Sequence, residues 1–272
     1  MATRFSFVMY APILMITKQR SFCKSAPILA QELRHWFNSS PGRDLLALEQ
    51  QCLEQLLSRL FGYYLLHVGC LGYQTEPLFA SRIRSQFVLS PDSIGSDQKH
   101  WITGSPMQLP IASESMDVVV LAHALDFSQD PHQVLREMER VLIPEGRVII
   151  LGFNPWSLWG LRRLFCLDKT QVPWCGYFLS RQRINDWLSL LGFEVQMHRA
   201  LMFCPPIRQQ GVMERLAVME KVGEKFWPPL SGVYAVQAVK RVSRLTPVKP
   251  MWKLRARVQS GRIAEPTARS GR

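Results

Sequence analysis

His123 and Asp126 stand three residues apart, just after the apolar run Val118-Val119-Val120-Leu121. These two are the candidate catalytic residues. A neutral imidazole at this point can accept a proton from a substrate O–H or N–H. The competing reading is that His123 is a satisfied structural residue lining a cleft. Gly152-Phe153-Asn154-Pro155-Trp156 follows another apolar run. Asn154 reads as a turn-ordering residue, and His123, Asn154 and Trp156 are the candidate substrate contacts. Six cysteines, Cys23, Cys52, Cys70, Cys166, Cys175 and Cys204, form no C-x-x-C pair and no metal-ligand cluster with histidine. No metal site is expected, and scattered thiols of this kind suit a reducing, cytoplasmic setting.

The elements that must position these residues are legible as periodicities. Val118–Leu121 is apolar without interruption, as in a strand buried on both faces of a parallel sheet. Asp130-Pro131 then opens a helix, with an N-cap followed by proline at the first helical position. Its apolar residues Val134, Leu135, Met138, Val141 and Leu142 recur at helical spacing. Pro144-Glu145-Gly146 reads as a tight turn before the next strand, Val148–Leu151. Strand, crossover helix and second apolar strand make a βαβ unit. Further strands are expected at Tyr63–Val68, Phe87–Leu89, Trp101–Thr103, Phe193–Met197 and Val233–Val239. Helices are expected within 27–60, over Glu76–Arg84, and from the Ser180 cap to Gly192.

The stretch from Gly104 to Leu151 resembles the second half of the class I, S-adenosylmethionine-dependent methyltransferase fold, in the methyltransferase type 11 family. The pieces that carry the resemblance are Leu109-Pro110-Ile111, Met116-Asp117-Val118-Val119 and Arg140-Val141-Leu142-Ile143-Pro144-Glu145-Gly146. It covers roughly residues 60–240, and several ordered motifs at the right spacing are more specific than one glycine pattern. The resemblance implies an α/β, Rossmann-like fold. Its sheet would have seven strands, mostly parallel with the seventh antiparallel, and helices on both faces. The chain is similar to a poorly characterised bacterial branch of that family, one irregular in the first loop.

The resemblance also implies S-adenosylmethionine as cofactor, bound where the strands end. The aligned first loop is His67-Val68-Gly69-Cys70-Leu71-Gly72-Tyr73, where the family usually places an acid and three glycines. Glycines there let the backbone approach the ligand without a Cβ clash. Gly69 is kept, His67 replaces the acid, and Gly72 sits one residue out of register. Ser90 aligns with the acid that meets the ribose, and Asp92 follows it. Ser105 aligns with the acid that meets the adenine amino group. Pro106 has no N–H to donate, so the Met107 amide would serve. The implied cofactor positions are Gly69, Cys70, Leu71, Gly72, Ser90, Ser105, Met107, Gln108 and Ala122. Three acids are thus replaced together. Each lost charge-assisted hydrogen bond costs about 1.5–3 kcal/mol, against about 8 kcal/mol for micromolar binding.

Composition bounds the rest. The 272 residues carry a net charge of +12. Lys240 to Arg272 holds ten Lys or Arg against one acid, Glu265. With Pro247, Pro250 and Pro266 and little apolar periodicity, residues 243–272 read as a basic disordered tail. Residues 1–26 read as an extension, disordered or the product of a start codon placed upstream. Its apolar run Phe5–Ile16 is too short to span a bilayer. Residues 27–242 would form the methyltransferase-like domain with its N-terminal helices. Ser157–Phe165, apolar and basic, reads as a helix packed on the core; the alternative is a membrane-surface helix or an apolar pocket wall.

The function expected is methyl transfer from S-adenosylmethionine to a small-molecule or lipid-like acceptor. One alternative is a non-catalytic binding or regulatory protein that kept the fold and lost the cofactor. A second is a nucleic-acid-binding methyltransferase, suggested by the basic tail. No N/D-P-P-Y/F motif follows the fourth strand, which argues against base amino-methylation. Peripheral membrane contact is a further expectation.

Overall fold

The computed structural model describes residues 25–69, 81–91, 100–165, 170–204 and 230–241. The chain divides into the units Met1–Val242 and Ser243–Arg272, and every described residue lies in the first. The expected extension, apart from Ser25 and Ala26, and the expected tail lie outside the described residues.

Apolar runs become the central strands. These are β1 (Tyr64–Gly69), β2 (Ser85–Ser90), β3 (Trp101–Thr103), β4 (Met116–Ala122), β5 (Leu142–Phe153), β6 (Phe193–Leu201) and β7 (Val233–Lys240). They form one sheet in the order β3-β2-β1-β4-β5-β7-β6. β1 to β5 pair in parallel, while β7 runs antiparallel to both β5 and β6. This is the seven-stranded, mostly parallel sheet expected. Order reverses around β1 and β4, which creates the crevice where open α/β sheets bind ligands.

The helices are α1 (Ala26–Phe37), α2 (Gly42–Leu57), α3 (Pro131–Val141), α4 (Leu158–Phe165) and α5 (Arg181–Leu190). Successive strand residues point to opposite faces. Leu65, Val118, Val120, Ile149 and Leu151 pack in the core that also contains α1, α2 and Trp159 of α4. Leu66, Val68, Val119, Leu121, Val148 and Ile150 pack in the core that contains α3 and α5. Asp130 caps α3 by accepting from the Gln133 amide, and Ser180 caps α5 through the Arg183 amide.

Two expectations are corrected. Pro144–Gly146 is part of β5 rather than a turn before it, because Leu142 already pairs with Met116 across an irregularity in the β4–β5 register. Of the helix expected over Glu76–Arg84, residues 81–84 are not helical and the rest lies outside the described residues.

Polar clamps fix the register. Asp117 Oδ2 accepts from the amides of Tyr63 and Tyr64, at 3.0 and 2.9 Å, and so holds the start of β1 against β4. Arg140 on α3 donates to the carbonyls of Ile111 and Leu109, while its neighbour Glu137 accepts from the Leu109 amide. Two sequence pieces thirty residues apart are thereby one physical unit: the guanidinium fork satisfies a loop that has no ladder partner.

Candidate functional site

A cavity of about 170 Å³ opens where β1, β2 and β4 end. Val68 and Gly69 form its floor, and Leu89 and Pro91 flank it at the end of β2. The loop after β3 supplies Gly104 to Met107, and the loop after β4 supplies Ala124 and Phe127 to Gln129. Helix α1 lies across the mouth through Ala26, Leu29, Ala30 and Leu33.

The expected cofactor residues separate on this geometry. Gly69, Ser105 and Met107 line the cavity. Ser90 is buried between two lining residues, Leu89 and Pro91. Ala122 is fully buried and does not line the cavity; Gln108 is exposed and does not line it either. Cys70, Leu71 and Gly72 lie outside the described residues, as does Asp92. The Met107 amide, expected to serve the ligand where Pro106 has no N–H, donates to Ser105 Oγ at 3.3 Å, closing a small turn.

Gly69 has φ +117°, a conformation side-chain-bearing residues rarely adopt. A Cβ there would lie 2.1 Å from the carbonyl oxygen of Ala122. The glycine is therefore demanded by the close approach of β1 to the end of β4, before any ligand is considered.

The lining suits a nucleoside with a thioether. Leu89, Pro106 and Met107 offer apolar and polarisable contact of the kind a flat ring takes. Ser105, Ser128 and Gln129 supply neutral hydrogen-bonding groups. Ser128 Oγ is buried and has no hydrogen-bond partner among the described residues, so it remains available to a ligand. No carboxylate lines the cavity among the described residues. His67, in place of the family acid, is buried and does not line it. Burial alone pushes its pKa down to about 4, so it is a neutral imidazole near neutrality.

Behind the cavity wall lies a charged cluster. His123 is fully buried. Its Nε2 lies 2.7 Å from Glu49 Oε1, on α2, and its Nδ1 lies 3.1 Å from Asp126 Oδ2. Asp126 Oδ2 also accepts from the Phe153 amide at 2.9 Å, which ties the cluster to the end of β5. The His123 ring stacks on Phe153 with centroids 4.2 Å apart. Burial opposes a charged imidazole, but the charge of Glu49 and the hydrogen bonds to Asp126 and Glu49 outweigh it. The pKa of His123 is raised to about 9. Burial pushes the Asp126 carboxyl up, against the lowering effect of His123.

His123 thus presents no ring atom to the cavity, and neither it nor Asp126 lines it. With φ +55° its backbone sits in the left-handed region, and the two carboxylates hold it there. The arrangement anchors the loop that carries Ala124, Phe127 and Ser128. The Glu49 partner was not singled out from the sequence. It falls on the apolar face of α2, where a single carboxylate between Leu45, Leu46, Cys52 and Leu53 was the available signal.

Asn154 is a turn organiser. Its Nδ2 donates to the Ser231 carbonyl, its Oδ1 accepts from the Trp156 amide, and its own carbonyl accepts from Ser157 Oγ. Trp156 is 73% exposed and walls two surface grooves, away from the cavity lining.

Comparisons with known proteins bear on the family and the fold. A family model described as a methyltransferase domain matches residues 66–150. The chain is 36% identical over 165 residues to the uncharacterized protein YafS of Escherichia coli, covering 61% of this chain and 66% of that one. It is 28% identical over 163 residues to a malonyl-[acyl-carrier protein] O-methyltransferase of Methylovorus, covering 53% and 55%. It is 27% identical over 192 residues to a 2-phytyl-1,4-naphtoquinone methyltransferase of Thermosynechococcus vestitus, covering 70% and 76%. The chain spans just under two thirds of the first of these relatives and about half of the second. Among solved structures, an S-adenosylmethionine-dependent methyltransferase from Thermotoga maritima superposes with a TM-score of 0.57 at 17% identity, covering 79% of this chain and 97% of that one. That likeness shows the fold.

Proposed function

The chain belongs to the class I S-adenosylmethionine-dependent methyltransferases, type 11 family, and from that premise we propose that it transfers a methyl group from S-adenosylmethionine to a small, lipid-like acceptor. The observation that carries the reading is the cavity at the ends of β1, β2 and β4, walled by Gly69, Ser105, Met107 and Ser128. When bound, the cofactor supplies an electrophilic methyl on a sulfonium, a centre that needs positioning more than acid–base help.

The chain's own residues do the positioning. Leu89, Pro106 and Met107 would flank the adenine, and Ser105 and Ser128 would offer it or the ribose neutral hydrogen bonds. The Gly69 backbone would border the ribose and methionine portion. His123 acts through Glu49 and Asp126 as a positioning residue for the loop after β4. Helix α1 excludes water by covering the mouth with Leu29 and Leu33. A lipid-like acceptor is supported by the naphthoquinone methyltransferase relative and by the apolar surface beside β5 described below. The acyl-carrier relative supports the alternative of a carboxyl acceptor.

One observation favours a second reading, a binding protein that kept the fold without catalysis. The described cavity wall holds no carboxylate, although the cofactor carries ribose hydroxyls and an ammonium that favour one. Calorimetric titration with S-adenosylhomocysteine, together with mass spectrometry of the purified chain for co-purified cofactor, separates the two. Micromolar binding with transfer of a labelled methyl to a bacterial lipid extract is expected. No binding at millimolar ligand would leave the second reading standing.

A further inference from the structure

Helix α4 is held through Trp159 and Arg163, which donates to the Trp174 carbonyl at 3.0 Å and stacks over Phe178, and it leaves an apolar side to solvent. Trp159 is buried, donates from Nε1 to the Cys204 carbonyl at 2.9 Å, and packs against Trp36, Phe153 and Trp174. The start of the helix is fixed as well. Ser157 Oγ accepts from the Gly160 amide, and a Cβ on Gly160 would lie 2.0 Å from the Pro155 carbonyl oxygen. On the opposite side Leu158, Leu161, Leu164 and Phe165 are 45–75% exposed, joined by Trp156 and Leu230. Scattered apolar residues at a surface need no explanation, but a cluster of six around one short helix does.

Among the described residues, the charged side chains lining the grooves at this cluster are all basic. Trp156 walls two adjoining grooves, of about 490 and 300 Å³. Among the described residues their walls contain Arg163, Arg181 and Arg199, and no Asp or Glu; Arg163 is tied to the Trp174 carbonyl, and Arg181 is exposed. Arg162, exposed on α4, stacks over Trp174. The cluster sits at the end of β5, on the same end of the parallel sheet as the cavity. Trp159 touches Trp36 of α1, the helix across the cavity mouth, with centroids 6.0 Å apart.

We propose that α4 and Trp156 form a docking surface for an anionic lipid bilayer, lying in its interface with Leu161, Leu164 and Phe165 among the acyl chains and the exposed Arg162 and Arg181 among the headgroups. Apolar side chains on one face with a cationic rim are the composition of an interfacial helix. No helix among the described residues is long and apolar enough to cross a membrane; the contact proposed is peripheral, through α4. A second copy of the chain fits less well, because a two-fold contact through this face would bring arginine rims together. The proposal stands apart from methyl transfer: a chain that binds no cofactor would still dock.

The test is co-sedimentation of the full chain with vesicles of phosphatidylglycerol and phosphatidylcholine, against phosphatidylcholine alone. Binding to the anionic vesicles, partly retained in high salt, is expected. Leu161→Glu with Phe165→Glu should weaken it about tenfold with an unchanged thermal midpoint. Trp156→Phe should remove part of the blue shift of tryptophan emission on binding. If the double variant fails to fold, Leu164→Ser alone, at an exposed position, carries the same expectation. No binding by the wild type overturns the proposal. So does binding that salt abolishes completely, or binding that the α4 variants leave unchanged. A concentration-dependent dimer dispersed by Leu161→Glu would assign the face to a second copy and overturn it too.

Discussion

Nε2 of His123 lies 2.7 Å from Oε1 of Glu49, across 74 positions of chain. With Asp126 on the other nitrogen, one imidazole joins α2, the loop after β4 and, through the Phe153 amide, the end of β5. The cavity wall is built from that loop, so the cluster is the point where the N-terminal helices and the sheet agree on its shape.

His123→Ala should therefore destabilise the protein by about 3–5 kcal/mol, because it leaves two buried carboxylates facing a space that held their counter-charge. Urea denaturation measures this. Glu49→Ala removes one carboxylate but leaves an imidazole with one partner, and should cost less. A loss below about 1 kcal/mol for His123→Ala would mean that the cluster is no anchor.

The two buried histidines should give stability a maximum near neutrality. In the folded protein His123 keeps its proton up to about 9, whereas the unfolded chain releases it near 6.5. The stabilisation is complete below 6.5 and disappears as pH rises toward 9. His67 is the opposite case. The unfolded chain takes up a proton near 6.5 that the folded protein refuses until about 4, so stability falls as pH drops through that window. Urea midpoints measured from pH 4 to 9 should fall on both sides. His67→Gln should flatten the acid limb alone, and a profile unchanged by it would refute the assignment.

Much of this arrangement was legible in the sequence. Val118–Leu121 and Val148–Leu151 read as central strands because burial on both faces leaves no polar position. Arg140 and Leu109-Pro110-Ile111 read as related motifs, though the reason, a guanidinium satisfying that loop, needed coordinates. That His123 is a satisfied structural residue was one of the two readings the sequence allowed; its partners were not legible. His123 and Asp126 stood out by their place after the fourth strand, whereas Glu49, which completes the cluster, comes from a helix whose docking angle local pattern does not encode. For α1 the resemblance implied a helix over the cofactor cleft; that Leu29 and Leu33 are the residues that line it needed coordinates.

Ala30→Phe should block the cavity without disturbing the fold. Ala30 lines it from α1, where a larger side chain projects into open space and phenylalanine is tolerated in a helix. Affinity for S-adenosylhomocysteine should fall at least about tenfold, near 1.4 kcal/mol, with the thermal midpoint of the free protein unchanged. Gly69 is the poorer probe. At φ +117°, with the Ala122 carbonyl against it, any side chain there strains the sheet itself, so loss of binding would carry no information about the ligand. Normal binding by Ala30→Phe would place the cofactor elsewhere.

Ser105→Asp should strengthen cofactor binding. Ser105 lines the cavity in the loop after β3, the position at which the family places an acid against the adenine amino group. A carboxylate there can accept that hydrogen bond with charge assistance, which the serine hydroxyl cannot. It can also take over the present contact of Ser105 Oγ with the Met107 amide, so the turn survives. The gain should be about 1–2 kcal/mol, roughly a tenfold lower Kd for S-adenosylhomocysteine. Ser105→Asn supplies a similar shape without the charge and should gain less. If Ser105→Asp binds no better than the wild type, while Ala30→Phe weakens binding as expected, the ligand occupies the cavity with its adenine turned away from this loop. The first-loop and strand-two positions would then carry recognition without help from the third.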